Sequence, residues 1–166
     1  MKKRWFFPFL MLSCILGATC ISCNNNTDET DWRDANIAYM SKVAKKTGIL
    51  TIGDSLNGYS GIYYEILESG DASTESPIVG DIVTVDYEGW LYNSSDAFDS
   101  KTDFSQQLGK NLISGWTLAL ERMHVGDKWQ IYIPYYLGYG IVKYDEVPAY
   151  SALKFTIKLK EITTTR

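Results

Sequence analysis

Reactive side chains are scarce in this chain. Its 166 residues hold one histidine, His124, and three cysteines, Cys14, Cys20 and Cys23, all within or just after an apolar N-terminal run. A metal site would have to be built from carboxylates, and Asp28, Glu29, Asp31 and Asp34 read as a solvated acidic spacer rather than a hard-cation cage. Gly138-Tyr-Gly140 has neither the spacing nor the Lys of a phosphate loop. No metal and no cofactor are expected. What the chain has in excess is aromatic, 14% Phe, Trp and Tyr with 12 Tyr. Such rings, several with a polar handle, suit a groove for something partly apolar. Trp116 is the residue best placed to serve both as core and as the floor of a binding pocket.

Trp116 sits in Gly109–Met123, where Ile113, Trp116, Leu120 and Met123 recur three or four apart and share one face of a short helix. Gly126 follows as a stop signal. Runs that alternate apolar and polar residues flank it. Ile62–Leu67 is one; Asp81–Tyr92 puts Val83, Val85 and Tyr87 on one face. Asp127–Pro134 points Trp129, Ile131 and Ile133 inward against Lys128, Gln130 and Tyr132. The last run sets Leu153, Phe155, Ile157 and Leu159 against Lys154, Thr156, Lys158 and Lys160. Period-two patterns of this kind describe an antiparallel sheet with one buried and one wet face. The expected fold is α+β: a twisted antiparallel sheet of five or six strands wrapped around one short α-helix at 114–123. His124, beside the helix stop, is expected at the surface.

The N-terminus reads as a targeting signal. Met1-Lys-Lys-Arg4 is a positive n-region, and Trp5–Ile21 is almost wholly apolar but short for a stable membrane span. Cys23, preceded by Ser22 and followed by a polar run, resembles the lipidated residue of a bacterial lipoprotein. Cys20, after Gly17-Ala-Thr19, is the alternative. The organisation expected is a signal peptide over 1–22, a tether over 23–60 and a globular domain over 61–166. Residues 24–31 read as spacer, a helix follows over about 31–47, and Gly48–Gly61 is loop with turn chemistry at Asp54–Gly58. The net charge of -4 comes without a basic stripe, so nucleic acid is not expected as a partner.

Several signatures then fall in one order: Val83-Thr-Val-Asp-Tyr-Glu-Gly89, Ala97-Phe-Asp-Ser100, Leu108-Gly109, Leu112-Ile-Ser-Gly-Trp116, Met123-His-Val-Gly-Asp127, Ile133-Pro-Tyr-Tyr-Leu-Gly-Tyr-Gly140 and Val147-Pro-Ala-Tyr-Ser-Ala-Leu-Lys-Phe155. Together they resemble the FKBP-type peptidyl-prolyl cis-trans isomerases, the macrolide-binding prolyl isomerases, over roughly Gly61–Ile162. The resemblance implies that Tyr87, Asp99 and Tyr139 act at the reacting amide. It implies that Phe98, Phe104, Leu112, Ile113, Trp116 and Phe155 bind substrate, with Val147 and Tyr150 in a closing loop. No Arg stands where many relatives pair one with the aspartate, and Lys101 is the only nearby cation. The 31–47 helix is too short to be the dimerisation arm of some relatives, so a monomer is expected.

The residue types suit that chemistry. Amide rotation is opposed by roughly 18–20 kcal/mol of lost resonance. Xaa-Pro isomers differ by only about 0.5–1 kcal/mol, so the obstacle is kinetic. No bond to a leaving group breaks, and the twisted amide has lost charge separation. A pocket that strips water from the carbonyl therefore favours the twisted form. The resemblance points to the Ile113 backbone N–H and the Tyr139 hydroxyl as donors to the substrate carbonyl. The implied partners are proline-containing polypeptides, a macrolide-type ligand, and a membrane reached through the lipid anchor. The implied location is the bacterial cell envelope. A non-catalytic, chaperone-like binding lipoprotein is the rival reading.

Overall fold

The apolar face of a twisted sheet needs a cover, and this chain supplies one on each side. A computed structural model of the protein describes residues 25–53 and 61–164. The leader, Cys20, Cys23 and the Asp54–Gly58 turn lie outside them. The strands are β1 (Leu50–Ile52), β2 (Ile62–Glu68), β3 (Ile82–Leu91), β4 (Asp99–Gln107), β5 (Lys128–Ile133) and β6 (Leu153–Thr163), with helices α1 (Asn25–Val43) and α2 (Ser114–Leu120). All pairings are antiparallel, in the order β1-β2-β5-β6-β3-β4. This is the expected α+β architecture with the upper number of strands.

On one face the alternating residues of β3, β5 and β6 close over α2. Val83, Val85, Ile131, Ile133, Leu153, Ile157 and Leu159 surround Trp116, Ala119, Leu120 and Met123. The helix is shorter than its pattern. It begins at Ser114 and ends at Leu120, and Met123 reaches the core from the turn beyond. Gly115 lets the helix lie close to β5, since a Cβ there would stand 2.6 Å from Ile133 Cγ2. Asp127 ties this turn down, because its carboxylate accepts the Gly70 and His124 backbone N–H groups at 2.6 and 2.7 Å. His124 is half-buried beside it rather than fully at the surface.

The opposite face is not wet as expected. Tyr132, assigned by alternation to solvent, is 3% exposed. It is covered by α1, whose Tyr39, Met40 and Val43 pack with Tyr63, Ala152 and Ile49 in a second core. Helix α1 starts at Asn25 instead of Asp31 and ends at Val43 instead of Lys46. Part of the expected spacer is thus helical, with Asp28 in the first turn, where a negative charge complements the helix dipole. The helix carries only a narrow apolar stripe, and docking on the sheet stabilises what propensity alone would not.

One buried polar residue fixes that docking. Asn36 is 1% exposed. Its Nδ2 donates to the Trp32 carbonyl and its Oδ1 accepts the Ala152 N–H, both at 2.7 Å. Rings seal the border, with Trp32 and Tyr39 at 5.2 and 5.5 Å from Tyr92. Two strands carry no alternating signature of usable length in the sequence. β1 is three residues long, and β4 (DSKTDFSQQ) is a mostly exposed edge strand whose polar sequence lacks apolar alternation. Asn36→Ala leaves the Ala152 N–H buried without a partner, which costs about 1–3 kcal/mol. Thermal unfolding of the variant therefore shifts down by several degrees, with Tyr39 and Trp32 becoming more mobile.

Candidate active site

The cavity opens where β3, β4, the entry to α2 and the segment after β5 converge. Its volume is about 680 Å³, and its lining includes Tyr87, Asp99, Phe104, Leu112, Ile113, Trp116, Tyr139 and Phe155. Each of these residues was singled out in the sequence. Their placement follows from local structure. Tyr87 points inward because it shares the pleat of Val83 and Val85, and β4 returns beside it so that Asp99 and Phe104 reach the same face. A register shift between Val85 and Tyr87 sets the offset of the two strands. Phe155 comes from β6 and stands across from Gly89. A Cβ at Gly89 would lie 2.4 Å from Phe155 Cε1, so only glycine leaves room for the ring.

The rings meet edge to face. Trp116 lies 4.8 Å from Tyr87 at 82° and 5.3 Å from Phe155 at 89°. Tyr87 also meets Phe104 at 5.6 Å and 73°. Arrangements of this kind place positive ring edges on negative faces and add about 0.5–1.5 kcal/mol per pair beyond area burial. Trp116 is 4% exposed, so it belongs to the core while also lining the cavity.

The lining also carries polar groups: Asp99, Lys101, Asn111, Ser114 and the phenols of Tyr87, Tyr139 and Tyr144. The Tyr87 hydroxyl donates to Asp99 Oδ2 at 2.6 Å. Burial first, then that bond and the charge of Asp99, push the Tyr87 phenol far above its usual range. Tyr139 is raised as well, by burial first and then by Tyr144 and Asp99. Both hydroxyls are therefore protonated donors at neutral pH. Tyr139 is stacked on Tyr144, centroids 4.5 Å apart and planes within 6°. Lys101 does not replace the missing Arg. Its Nζ sits 5.1 Å from the Phe104 ring centroid, a cation over an aromatic face, while the Tyr87 hydroxyl holds Asp99.

Three singled-out residues stand apart from the lining. Phe98 is half-buried and meets Phe155 edge-on at 5.6 Å, supporting that ring. Val147 is 2% exposed in the core and closes a tight turn with Tyr144 through backbone bonds of 2.9 and 3.0 Å. Tyr150 has φ 61°, packs on Tyr135 at 5.3 Å and lies under Arg33 at 5.9 Å. Conversely, Asn111, Ser114, Gly138 and Tyr144 line the cavity without having been assigned to it. Tyr144 had a faint signal in the Tyr-rich loop, but only the turn at Asp145 (φ 50°) brings it back onto Tyr139. No cluster of His, Cys, Asp or Glu able to hold a metal occurs among the described residues.

Comparison with known proteins agrees with this fold. Residues 73–160 match the family described as FKBP-type peptidyl-prolyl cis-trans isomerase. The macrophage infectivity potentiator of Trypanosoma cruzi is 30% identical over 164 residues, covering 90% of this chain and 81% of that protein. The peptidyl-prolyl cis-trans isomerase Mip of Coxiella burnetii is 37% identical over 106 residues, covering 62% of this chain and 42% of its own length. Among solved structures, FkpA from Escherichia coli superposes with a TM-score of 0.73 at 29% identity, covering 85% of this chain and 63% of FkpA. A peptidyl-prolyl cis-trans isomerase from Pseudomonas syringae pv. tomato gives 0.70 at 28%, covering 81% and 96%. The chain thus spans less than half of the Coxiella relative and most of the trypanosomal one. By this match and by its sheet wrapped on α2, the chain belongs to the FKBP-type peptidyl-prolyl cis-trans isomerases.

Proposed function

We propose that the protein accelerates cis-trans exchange of Xaa-Pro bonds in exported polypeptides, using the aromatic cavity as its active site. The observation that carries this reading is a cavity walled by the rings of Tyr87, Phe104, Trp116 and Phe155, where prolyl isomerisation calls for a wall rather than a nucleophile or a metal. The prolyl ring lies on the Trp116 indole, Leu112 and Ile113 form the aliphatic edge, and water is kept from the amide as it twists. Tyr139 and the Ile113 backbone N–H orient the substrate carbonyl. Tyr87 and Asp99 hold each other and present a fixed polar edge to the amide, while Phe98 and Val147 support the wall and Tyr150 supports the rim. A lowering of the barrier by about 5–7 kcal/mol, at 1.36 kcal/mol per tenfold, converts a minute-scale event into a millisecond one. A macrolide-type ligand fits the same cavity. The protein acts as a monomer and without a cofactor.

The envelope location extends the proposal. Residues 1–22 direct export and Cys23 carries the lipid, so that the stretch from 23 to 60, whose α1 and β1 pack on the sheet, holds the 61–166 domain close to the membrane. In cell fractionation, Cys23→Ser moves the protein from the membrane to the soluble fraction, while Cys20→Ser leaves it membrane-bound. The reverse pattern assigns the anchor to Cys20.

The protein shortens cis-trans exchange of an Ala-Leu-Pro-Phe peptide measured by NMR exchange. Tyr139→Phe lowers kcat/KM about tenfold, the loss of one oriented hydrogen bond. Trp116→Ala abolishes turnover but also removes core packing worth about 3–5 kcal/mol, so its folding is checked by circular dichroism. Binding of the peptide without acceleration overturns the enzyme reading and leaves a binding module.

The pH dependence follows from the two phenols. Their folded-state values lie above the unfolded value of 10.0. The stability linked to the neutral hydroxyls is therefore complete below about pH 10 and lost as pH rises through the folded values. Accordingly, kcat/KM shows no tyrosine-dependent step between about pH 6 and 9, and the share of stability carried by these two phenols is lost only on the alkaline side.

A further inference from the structure

A second cavity lies on the other side of the sheet from α2. It has a volume of about 520 Å³ and runs between α1 and the segment that follows β5, with Ile37, Met40, Tyr63, Pro134, Tyr135 and Tyr136 giving its apolar character. Its lip is exposed: Ile37 is 47% accessible and Tyr136 38%. A groove of this size takes one or two large side chains. Its polar atoms from α1 are already used. Asn36 is bonded to Trp32 and Ala152, and the Ser41 hydroxyl donates to the Ile37 carbonyl. Lys45 is the one charged residue in the lining. Such a lining reads apolar side chains, and it lacks the paired cations that a phosphate headgroup needs.

Its position says whose side chains these are. The stretch Tyr135–Tyr139 is a common wall: Tyr135 and Tyr136 face the groove, and Gly138 and Tyr139 line the aromatic cavity. Tyr150 braces both sides, its N–H donating to the Gly140 carbonyl at 2.9 Å and its ring resting on Tyr135 at 5.3 Å. Tyr136 and Tyr139 are three residues apart, on and just after the single 3-10 turn Tyr135–Leu137, so the wall is short and a few residues of extended chain reach from one side to the other.

We propose that the groove between α1 and Tyr135–Tyr136 is a second binding site for the same extended polypeptide, taking a large apolar or aromatic residue that flanks the proline at a distance of a few positions. The proposal rests on the isomerase reading of the aromatic cavity. Two linked contacts on one chain act as a bivalent interaction, in which the second is intramolecular and raises affinity without altering the chemistry. The groove thereby favours unfolded chains rich in Leu, Phe and Tyr over short or polar ones.

The test compares two peptides, Ala-Leu-Pro-Phe and a longer one that carries the same Leu-Pro with Leu and Phe on both flanks. Exchange is measured for the protein and for Ile37→Lys and Ser41→Trp, which place a charge on the lip and fill the groove. The long peptide has a KM about tenfold below that of the short one. Both variants remove this advantage, raising KM for the long peptide with kcat unchanged and leaving the short peptide within about twofold. Equal losses on both peptides, or no loss on either, overturn the proposal. If the protein fails to accelerate the short peptide, the isomerase reading falls. The groove is then judged by fluorescence anisotropy with the long peptide carrying Ala for Pro. Binding that Ile37→Lys abolishes supports the groove, and absence of binding overturns it. A dimer in sedimentation that Ile37→Lys dissociates assigns the groove to a second copy and also overturns it.

Discussion

The packing of the Trp116 indole against Tyr87 and Phe155 is the contact on which the molecule depends. Through it the seven-residue α2 is held in the curve of the sheet, since so short a helix has little stability of its own. The same contact forms the cavity floor. Core and cavity are therefore continuous, and the rings that fill space at 82° and 89° also line the cavity floor. Gly89 and Gly115 belong to this constraint. Each removes a Cβ that would collide with Phe155 or Ile133, and neither contributes chemistry of its own.

The polar side of the cavity is organised by one hydrogen bond. Asp99 is the one carboxylate in the lining, and it is matched by the Tyr87 hydroxyl rather than by a cation. A neutral donor orients the carboxylate through one hydrogen bond, whereas an Arg would also fix its plane bidentately. Lys101, drawn to the Phe104 face, leaves this edge open. Tyr144, stacked on Tyr139, stiffens the opposite edge.

The outer face of the sheet carries the second constraint. Asn36 donates inside its own helix and accepts from the loop that leads into β6, so α1 and the 147–152 segment are joined by a buried polar contact. A buried amide is tolerated only when its groups are paired, which gives this docking one register. Tyr150 extends the connection, with its ring under Arg33 of α1 and its backbone bonded to Gly140 beside Tyr139. The N-terminal helix is thus mechanically continuous with the rim of the cavity.

The alternation in β2, β3, β5 and β6, the apolar spacing around Trp116 and the ordered motifs from Val83 to Phe155 were legible in the residues themselves, because each is a local pattern or a spacing that sheet and helix geometry impose. From them came the α+β class, the central helix and most of the cavity lining. Other features were decided only in three dimensions. β4 is polar and forms because β3 offers a free edge. The burial of Tyr132 depends on α1, whose narrow apolar stripe gives no hint of its partner. Phe98, Val147 and Tyr150 lie near the cavity in sequence but outside its lining, since a turn at positive φ and the pull of neighbouring rings set where each side chain goes. Pattern specifies which faces must be buried, and tertiary packing decides against what.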